Sequence, residues 1–277
     1  MGDLRDKLVA DLRLRNRSDK TIAGYVGCLR RLAGFYMRSP DQLQLDELRD
    51  FLLELTALGA SPAWRKGHVA AFRFFYSVTL GWSEAEVFAA LPYPAVPTTL
   101  PDIPTFDELL QLFDAAQTLK HRALLEAGYS AGLRIGEAVA LQPADIDSAK
   151  GVIRVRRGKG AKPRLAKLSL RFLDTAGRYW VQARPEGPWL FPGRSRDRHI
   201  SSRAVQRQVQ LAVARAGLER KVTFHTLRHA FATHALERGT DVRIIQALLG
   251  HATLKTTLGY LRVQTNAIQN TPSSFDR

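Results

Sequence analysis

A cluster of five prolines divides this chain more sharply than any other feature of its sequence. The prolines lie within thirteen positions, at residues 92, 94, 97, 101 and 104. Proline fixes the φ angle and removes a hydrogen-bond donor, so this segment cannot form a helix or a central strand. An extended spacer of this length reaches roughly 40 Å. We therefore predict a linker over residues 92–104, between a first domain of residues 1–91 and a second of residues 105–277.

The charge changes across the prolines. Residues 1–93 carry 13 basic and 11 acidic side chains, whereas residues 94–277 carry 28 and 15, so most of the net charge of +15 follows the prolines. This contrast favours a linker between domains over a surface loop within one domain. A surplus of this size indicates a polyanionic partner. Nucleic acid fits better than anionic lipid, because no basic amphipathic helix with a bulky apolar face accompanies the charge.

Several classes of protein are excluded by what the sequence lacks. There is no run of eighteen apolar residues, which a membrane-spanning helix requires. Residues 1–17 mix charges of both signs and lack the apolar stretch of a secretory signal. The single cysteine, Cys28, excludes an intrachain disulfide and a cysteine-based zinc site. We therefore predict a cytoplasmic protein that does not enter a membrane.

Hydrophobic periodicity predicts helices before the prolines. The predicted segments are residues 18–36 after the cap Ser18, residues 45–58 before Gly59, and residues 61–78, opened by Ser61 and Pro62. The apolar side of the third helix is predicted to be core rather than a ligand site; it comprises Val69, Phe72, Phe75 and Tyr76. The first domain is therefore predicted to be all-α.

After the prolines the pattern is helical with one β-rich interruption. Thr105 and Glu108 form a capping box at the start of a helix that reaches Thr118. Further helices are predicted over residues 122–129, 134–141, 202–216, 227–238 and 241–249. Residues 151–157 and 163–170 are β-rich runs that flank a Gly-Lys-Gly turn, which predicts a hairpin. The predicted fold class is mainly α with a small antiparallel β-sheet, an all-α first domain followed by an α+β second domain.

Two segments of the second domain carry charges in unusual arrangements. Arg134 and Glu137 lie three residues apart on one helical face, where the carboxylate can orient the guanidinium; alone, this is typical of a surface ion pair. Residues 150–171 contain no acid but nine basic side chains, at positions 150, 154, 156, 157, 159, 162, 164, 167 and 171. The hairpin is therefore predicted to contact phosphate rather than to be only a solvated basic surface.

A histidine-rich segment follows at residues 225–234, with sequence HTLRHAFATH. His225 and His229 have the i, i+4 spacing of zinc ligands, but Thr226 stands where a zinc-protease helix has glutamate, and no nearby carboxylate offers a third ligand. We predict no metal. His225 and Arg228 are three residues apart and suit an anion site better. His229 and His234 are also consistent with structural histidines.

Together these residues form a chemically coherent set for covalent DNA strand transfer. Attack on a phosphodiester builds negative charge on the non-bridging oxygens, and two guanidiniums can stabilise that charge without a metal. A lysine can protonate the departing oxygen and a histidine can accept the proton of the nucleophile. A tyrosine needs such help, since its ordinary pKa is about 10. A tyrosyl phosphodiester would conserve the bond energy, so no nucleotide cofactor is expected.

The chain resembles the tyrosine recombinase (phage integrase) family over nearly its whole length, especially compact Xer-like, transposon or integron members. The resemblance rests on five motifs in the order of the family: GLRIGE at 132–137, RRGKGAKPR at 156–164, HTLRHAFATH at 225–234, LLGH at 248–251 and TTLGYLRV at 256–263. One departure is Arg164-Leu165-Ala166-Lys167-Leu168, where many relatives have valine-proline before the leucine. Because the sequence begins almost directly with the first helices, we also expect no separate arm-binding domain of the kind that some phage integrases have.

The resemblance implies a role for each motif residue. Implied catalytic residues are the arginines Arg134 and Arg228, the general acid Lys159, the proton acceptor His225, the phosphate ligand His251 and the nucleophile Tyr260, with Glu137 supporting Arg134. Contacts to DNA are expected from Arg65, Lys66, Arg156, Arg157, Lys162 and Arg164. The implied partner is double-stranded DNA, with no cofactor. Four protomers would assemble on two paired sites from monomers in free solution, and Leu261–Ile268 is a candidate for an exchanged C-terminal segment.

The leading hypothesis is a site-specific DNA recombinase with a 3′-phosphotyrosyl intermediate. A DNA-binding regulator on a disabled recombinase scaffold is a second hypothesis, and it predicts that at least one reactive residue is missing. None is missing. A type IB topoisomerase-like relaxation of DNA is a third, which the Xer-like wording of the motifs disfavours.

Overall fold

The computed structural model describes residues 2–97, 102–156, 163–195 and 197–250. The chain divides into an N-terminal unit, Met1–Thr99, and a C-terminal unit, Leu100–Arg277, so the division falls inside the proline-rich segment. None of the described helices is long and apolar enough to cross a membrane.

The described residues of the N-terminal unit form helices joined by turns. The helices are α1 (Gly2–Leu14), α2 (Asp19–Tyr36), α3 (Leu45–Ala57), α4 (Pro62–Phe74) and α5 (Glu84–Ala90), with a short 3₁₀ helix at Pro40–Gln42 and a π-helical turn at Phe75–Thr79. Ser18 and Ser61 accept hydrogen bonds from backbone amides in the first turns of α2 and α4, as predicted. The predicted core residues Val69, Phe72, Phe75 and Tyr76 are buried. Hydrophobic periodicity did not predict α1 or α5.

Helices also make up most of the C-terminal unit. They are α6 (Phe106–Asp114), α7 (Leu119–Ser130), α8 (Ile135–Val139), α9 (Leu170–Ala183), α10 (Ser202–Arg215), α11 (Phe224–Glu237) and α12 (Val242–Leu249). The capping box of Thr105 and Glu108 begins α6 as predicted, but the helix ends at Asp114 rather than at Thr118. Thr118 instead caps α7, because its hydroxyl accepts a hydrogen bond from the amide of His121.

The predicted hairpin is part of a three-stranded antiparallel sheet. Its strands are β1 (Ile146–Asp147), β2 (Val152–Val155) and β3 (Arg164–Lys167), in the order β1-β2-β3. Val155 pairs with Arg164, and residues 157–162, which join β2 to β3, lie outside the described residues. Leu170, predicted as the end of a strand, is instead the first residue of α9, a helix that the sequence analysis missed. The predicted fold class, mainly α with a small antiparallel sheet, is confirmed.

Candidate functional site

Eight of the thirteen residues expected to act on DNA lie within the described structure. Arg65 and Lys66 belong to the N-terminal unit, and the C-terminal unit holds Arg134, Glu137, Arg156, Arg164, His225 and Arg228. The other five lie outside the described residues: Arg157, Lys159, Lys162, His251 and Tyr260.

Arg134 is held at the start of α8 by the local sequence. Its backbone amide donates to Glu137 Oε2 at 2.8 Å and its Nη1 donates to Oε1 at 2.8 Å, which confirms the predicted pair. Gly132 leads into this turn with a φ of +58°, and a Cβ there would approach side-chain carbons of Phe231 and Leu249 to within 2.7 and 2.6 Å. Glycine is therefore required for the turn that presents Arg134, both for its φ angle and for this close approach.

Glu137 lies among three arginines. Its side chain is 5% exposed, and both carboxylate oxygens accept hydrogen bonds from Arg164 at 2.8 Å in addition to those from Arg134. Arg228 Nη1 lies 3.8 Å from Oε2. Burial alone would raise the pKa of Glu137, but hydrogen bonds from Arg164 and Arg134 outweigh it and lower the pKa below its ordinary value. Glu137 is therefore ionised at neutral pH; we call this carboxylate and its three arginines the Glu137 cluster.

Arg228 ties two turns of the C-terminal unit together. It lies in α11 with its side chain 1% exposed. Its Nη1 donates to the carbonyl of Gly132, and its Nη2 donates to the carbonyl of Leu249, each at 2.6 Å. Arg134, by contrast, is 27% exposed, so it is the more accessible of the two guanidiniums expected to bind phosphate.

His225 lies in the first turn of α11, next to the same charges. Partial loss of hydration, followed by the positive charges of Arg228 and Arg134, lowers the pKa of His225. Its ring stands edge-on to that of His229, with centroids 4.2 Å apart. The pKa of His229 is lowered to about 4, chiefly by partial loss of hydration and then by electrostatic repulsion from His225 and Arg228. At neutral pH His225 is therefore a neutral imidazole that can accept a proton.

The remaining histidine of the motif has a structural partner. His234 Nδ1 lies 3.0 Å from the hydroxyl of Tyr129. A partly buried histidine with a structural role needs such a hydrogen-bond partner. Across the described ranges, no three or more His, Cys, Asp and Glu side chains are grouped so that they could hold a metal ion.

Arg164 does not have the place expected of a DNA contact. Its side chain is 8% exposed, its Nη1 and Nη2 donate to the two oxygens of Glu137, and its Nε donates to the carbonyl of Leu248 at 2.8 Å. Every nitrogen of the guanidinium is thus bound to an acceptor inside the protein. The basic run around Arg164 predicted an exposed cation. Its acceptors lie 27 and 84 residues away in sequence, so the local pattern could not reveal them.

The other expected DNA contacts have freer side chains. Arg156 pairs with the buried Asp145 and remains 54% exposed. Lys66 is exposed, with its ammonium 5.6 Å from the ring centroid of Tyr93. Arg65 Nη1 donates to Thr56 Oγ1 at 2.7 Å and is half-buried.

A polar surface of α10 was missed by the sequence analysis. Its exposed side chains at i, i+3, i+4 and i+7 are Arg203, Gln206, Arg207 and Gln210, and the helix contains no acid. We call these four residues the α10 face. The signal in the sequence was the repeated Arg and Gln at helical spacing without Asp or Glu, since basic residues along one face of a helix are typical of a nucleic-acid-binding surface.

Comparison with known proteins gives consistent matches over both units. Residues 104–267 match the phage integrase family, and residues 4–84 match the phage integrase N-terminal SAM-like domain. A Sinorhizobium fredii protein named as an integrase/recombinase is 42% identical over 100% of this chain and 89% of its own. The tyrosine recombinase XerA of Pyrococcus horikoshii is 34% identical over 97% of this chain and 92% of its own.

Solved structures show the same fold. The crystal structure of a XerA recombinase has a TM-score of 0.57 and 26% identity, with 97% of this chain and 96% of that one covered. A lambda integrase dimer bound to a COC′ core site has a TM-score of 0.75 and 20% identity, with 94% of each chain covered.

Proposed function

We propose, from the premise that this chain belongs to the phage integrase family, that its Glu137 cluster and Tyr260 exchange DNA strands through a covalent phosphotyrosyl intermediate. The chain is a site-specific DNA recombinase, an enzyme that breaks and rejoins DNA strands. The observation that carries the assignment to residues is the buried, ionised Glu137, which holds the accessible Arg134 where its positive charge helps to lower the pKa of His225.

The reaction follows from what each group can do to a phosphodiester. The oxygen of Tyr260 attacks the phosphorus and passes its proton to the neutral His225. The bond from phosphorus to the 5′ oxygen breaks, and Lys159 donates a proton to that oxygen. The product is a 3′-phosphotyrosyl link and a free 5′ hydroxyl. Attack by the 5′ hydroxyl of a second strand reverses the same steps and restores Tyr260.

Charge stabilisation in this reaction is assigned to the arginines. As tyrosine attacks, negative charge grows on the non-bridging oxygens, and fixed N–H donors stabilise it without reorganisation. Arg134 is accessible and oriented by Glu137, so it is the primary donor. Arg228 fixes the turns on either side of the site and adds a buried positive charge, and His251 completes the set of phosphate ligands.

Duplex DNA is the partner of both units, and the α10 face is assigned to its major groove. Arginine pairs with the O6 and N7 acceptors of guanine, and glutamine pairs with adenine. Arg and Gln are the four residues of this face. Phosphate contacts are assigned to Arg65, Lys66, Arg156, Arg157 and Lys162, whereas Arg164 is removed from that set because its guanidinium is bound within the protein.

The proposed assembly is a tetramer on two paired DNA sites, which forms from protomers that are monomers in free solution. One feature of the C-terminal unit supports exchange of a C-terminal segment between protomers. A largely apolar cavity of about 780 Å³ is lined by residues of α6, α7, α9 and α11, among them Phe106, Leu110, Phe113 and Phe231. Four of the eight residues of Leu261–Ile268 are apolar and of suitable chemistry to occupy it: Leu261, Val263, Ala267 and Ile268.

The pH dependence of cleavage tests the role of His225. Because its neutral form accepts the proton and its pKa is lowered, cleavage should keep its full rate at pH 7 and decline only below the ordinary imidazole value of about 6.5. The measurement is the single-turnover cleavage rate from pH 5 to 8. His225→Gln should slow cleavage by about 10²-fold or more, and its cleavage rate should no longer decline at acidic pH. A wild-type midpoint above pH 7 would contradict the assignment.

Capture of covalent DNA tests the function itself. The protein is incubated with a library of duplexes that carry a randomised region, in chelator and without nucleotide, and protein-linked strands are recovered after denaturation. We expect adducts that share a site and have 5′ hydroxyl ends. Binding without any adduct would favour the regulator, and relaxation of supercoiled plasmid without a shared site would favour the topoisomerase.

A further inference from the structure

Arg164 joins three separate elements at the candidate site. It lies at the start of β3, reaches the carboxylate of Glu137 in α8 through two hydrogen bonds of 2.8 Å, and reaches the carbonyl of Leu248 in α12 at 2.8 Å. Parallel donors to the two oxygens of a carboxylate fix it in direction as well as in position. Since the side chain is 8% exposed, water competes little for these bonds.

The pairing with Arg164 keeps Glu137 ionised and oriented. A buried carboxylate is costly unless its oxygens are bound, and Arg164 is the first hydrogen-bonding partner that lowers the pKa of Glu137 against the effect of burial. Without Arg164, Glu137 would lose a two-point hydrogen-bonding partner and keep the hydrogen bonds from Arg134 and the ion pair with Arg228. The carboxylate would then be less strongly ionised and freer to turn, and its hold on Arg134 would weaken.

The bond to Leu248 affects a second part of the site. Leu248 and Leu249 are the last residues of α12, and their carbonyls accept from Arg164 and Arg228 respectively. Gly250 ends the helix with a φ of +62°, and a Cβ on it would lie 2.7 Å from Cδ of Arg164. Arg164 therefore packs against the turn that leads in sequence to His251.

We infer that Arg164 is a positioning residue for the scissile phosphate, acting through Glu137 on Arg134 and through the end of α12, and that it is not a DNA contact. This inference rests on the proposed function, because Arg134 must bind the phosphate for its position to matter. Arg164 would then be a third arginine on which the reaction depends, and it would act through contacts within the protein alone.

Salt dependence of DNA binding separates a positioning role from a phosphate contact. The slope of log affinity against log salt should be the same for Arg164→Met and the wild type on any duplex. Lys66→Met, which removes an exposed cation assigned to a phosphate contact, should reduce the slope by about one. A reduction of the same size in Arg164→Met would show that Arg164 contacts DNA, and it would overturn the inference.

The cleavage chemistry then tests the action through Arg134. The substrate is the selected site with either a normal scissile phosphate or a methylphosphonate, in which a methyl group replaces one non-bridging oxygen and removes the negative charge. Arg164→Met should slow cleavage of the phosphate by about 10²-fold, because misplacement by about 1 Å costs that much. It should cleave the methylphosphonate at close to the wild-type rate, since the reaction no longer depends on a well-placed Arg134.

A matched control removes an ion pair of the same kind elsewhere in the unit. Arg220 pairs with Glu108 at 3.0 Å and donates to the carbonyl of Ile103 at 3.0 Å, so Arg220→Met should lower the melting temperature and leave both cleavage rates unchanged. If Arg164→Met folds poorly, Arg164→Lys serves instead, because a single ammonium keeps the charge but cannot bridge all three acceptors.

The failures are distinguishable. Equal slowing of Arg164→Met on both substrates would reduce Arg164 to a structural role and overturn the inference. Arg134→Ala should likewise cleave the methylphosphonate at close to the wild-type rate. If it is not, Arg134 does not neutralise the phosphate, and both the proposed function of Arg134 and the inference fall.

Discussion

Replacing Tyr260 by phenylalanine is expected to abolish the covalent protein–DNA adduct completely while duplex binding is retained. Phenylalanine keeps the ring but has no oxygen with which to form a bond to phosphorus, so the loss should be total rather than partial. The net charge of +15 and the α10 face, which are proposed to hold DNA, are unaffected by the change. The measurement is adduct yield on a denaturing gel, together with affinity in a binding titration.

A second tyrosine gives the matched control. Tyr179 lies in α9 and is 5% exposed, with its ring stacked on Phe191 at 5.8 Å between centroids. Tyr179→Phe removes one hydroxyl from the same unit and should leave adduct yield at the wild-type level. Adducts at undiminished yield in Tyr260→Phe would assign the nucleophile to another residue.

Replacing Arg228 by methionine is expected to cost both stability and cleavage. The substitution leaves the carbonyls of Gly132 and Leu249 without these donors and removes a cation 3.8 Å from the buried Glu137. Removal of one partner from a buried charged network costs about 3–5 kcal/mol, a large part of the 5–15 kcal/mol that stabilises a typical domain. Cleavage should fall by about 10³-fold, since a guanidinium is lost and the turn that presents Arg134 is released.

Urea unfolding and single-turnover cleavage measure these two effects separately. Arg178 provides the control, because its side chain is 64% exposed and lies 3.9 Å from the equally exposed Asp174. Arg178→Met should change the unfolding free energy by less than about 0.5 kcal/mol. An Arg228→Met protein as stable as the wild type would show that the two carbonyl contacts contribute nothing to the fold.

Local signals account for most of what the sequence predicted correctly about the fold. Ser18 and Ser61 cap helices through bonds to residues only three positions away, and Gly250 ends α12 through its own φ angle. The pair of Arg134 and Glu137 is local in the same sense. Such features depend on neighbours in sequence and can be read without knowledge of the tertiary structure.

Local patterns are insufficient where a distant partner decides the conformation or the surroundings of a residue. Leu170 continues a β-rich run in sequence, yet it begins α9, which packs its apolar side on the core through Phe172 and Ala176. Arg164 stands among exposed cations in sequence, but its partners come from α8 and α12. A basic residue in a basic run therefore indicates DNA contact only until a buried acid from another element is found beside it.

In the proposed reaction, the oxygen of Tyr260 becomes bonded to the 3′ phosphate of the cleaved strand. Mass spectrometry of the trapped adduct, after digestion with nuclease and trypsin, tests it most directly. Cleavage after Lys255 and Arg262 releases the peptide of residues 256–262, which contains Tyr260 as its only tyrosine. We expect a nucleotide joined through its 3′ phosphate to that tyrosine. A nucleotide on any other residue, or cleaved DNA with this peptide unmodified, would contradict it.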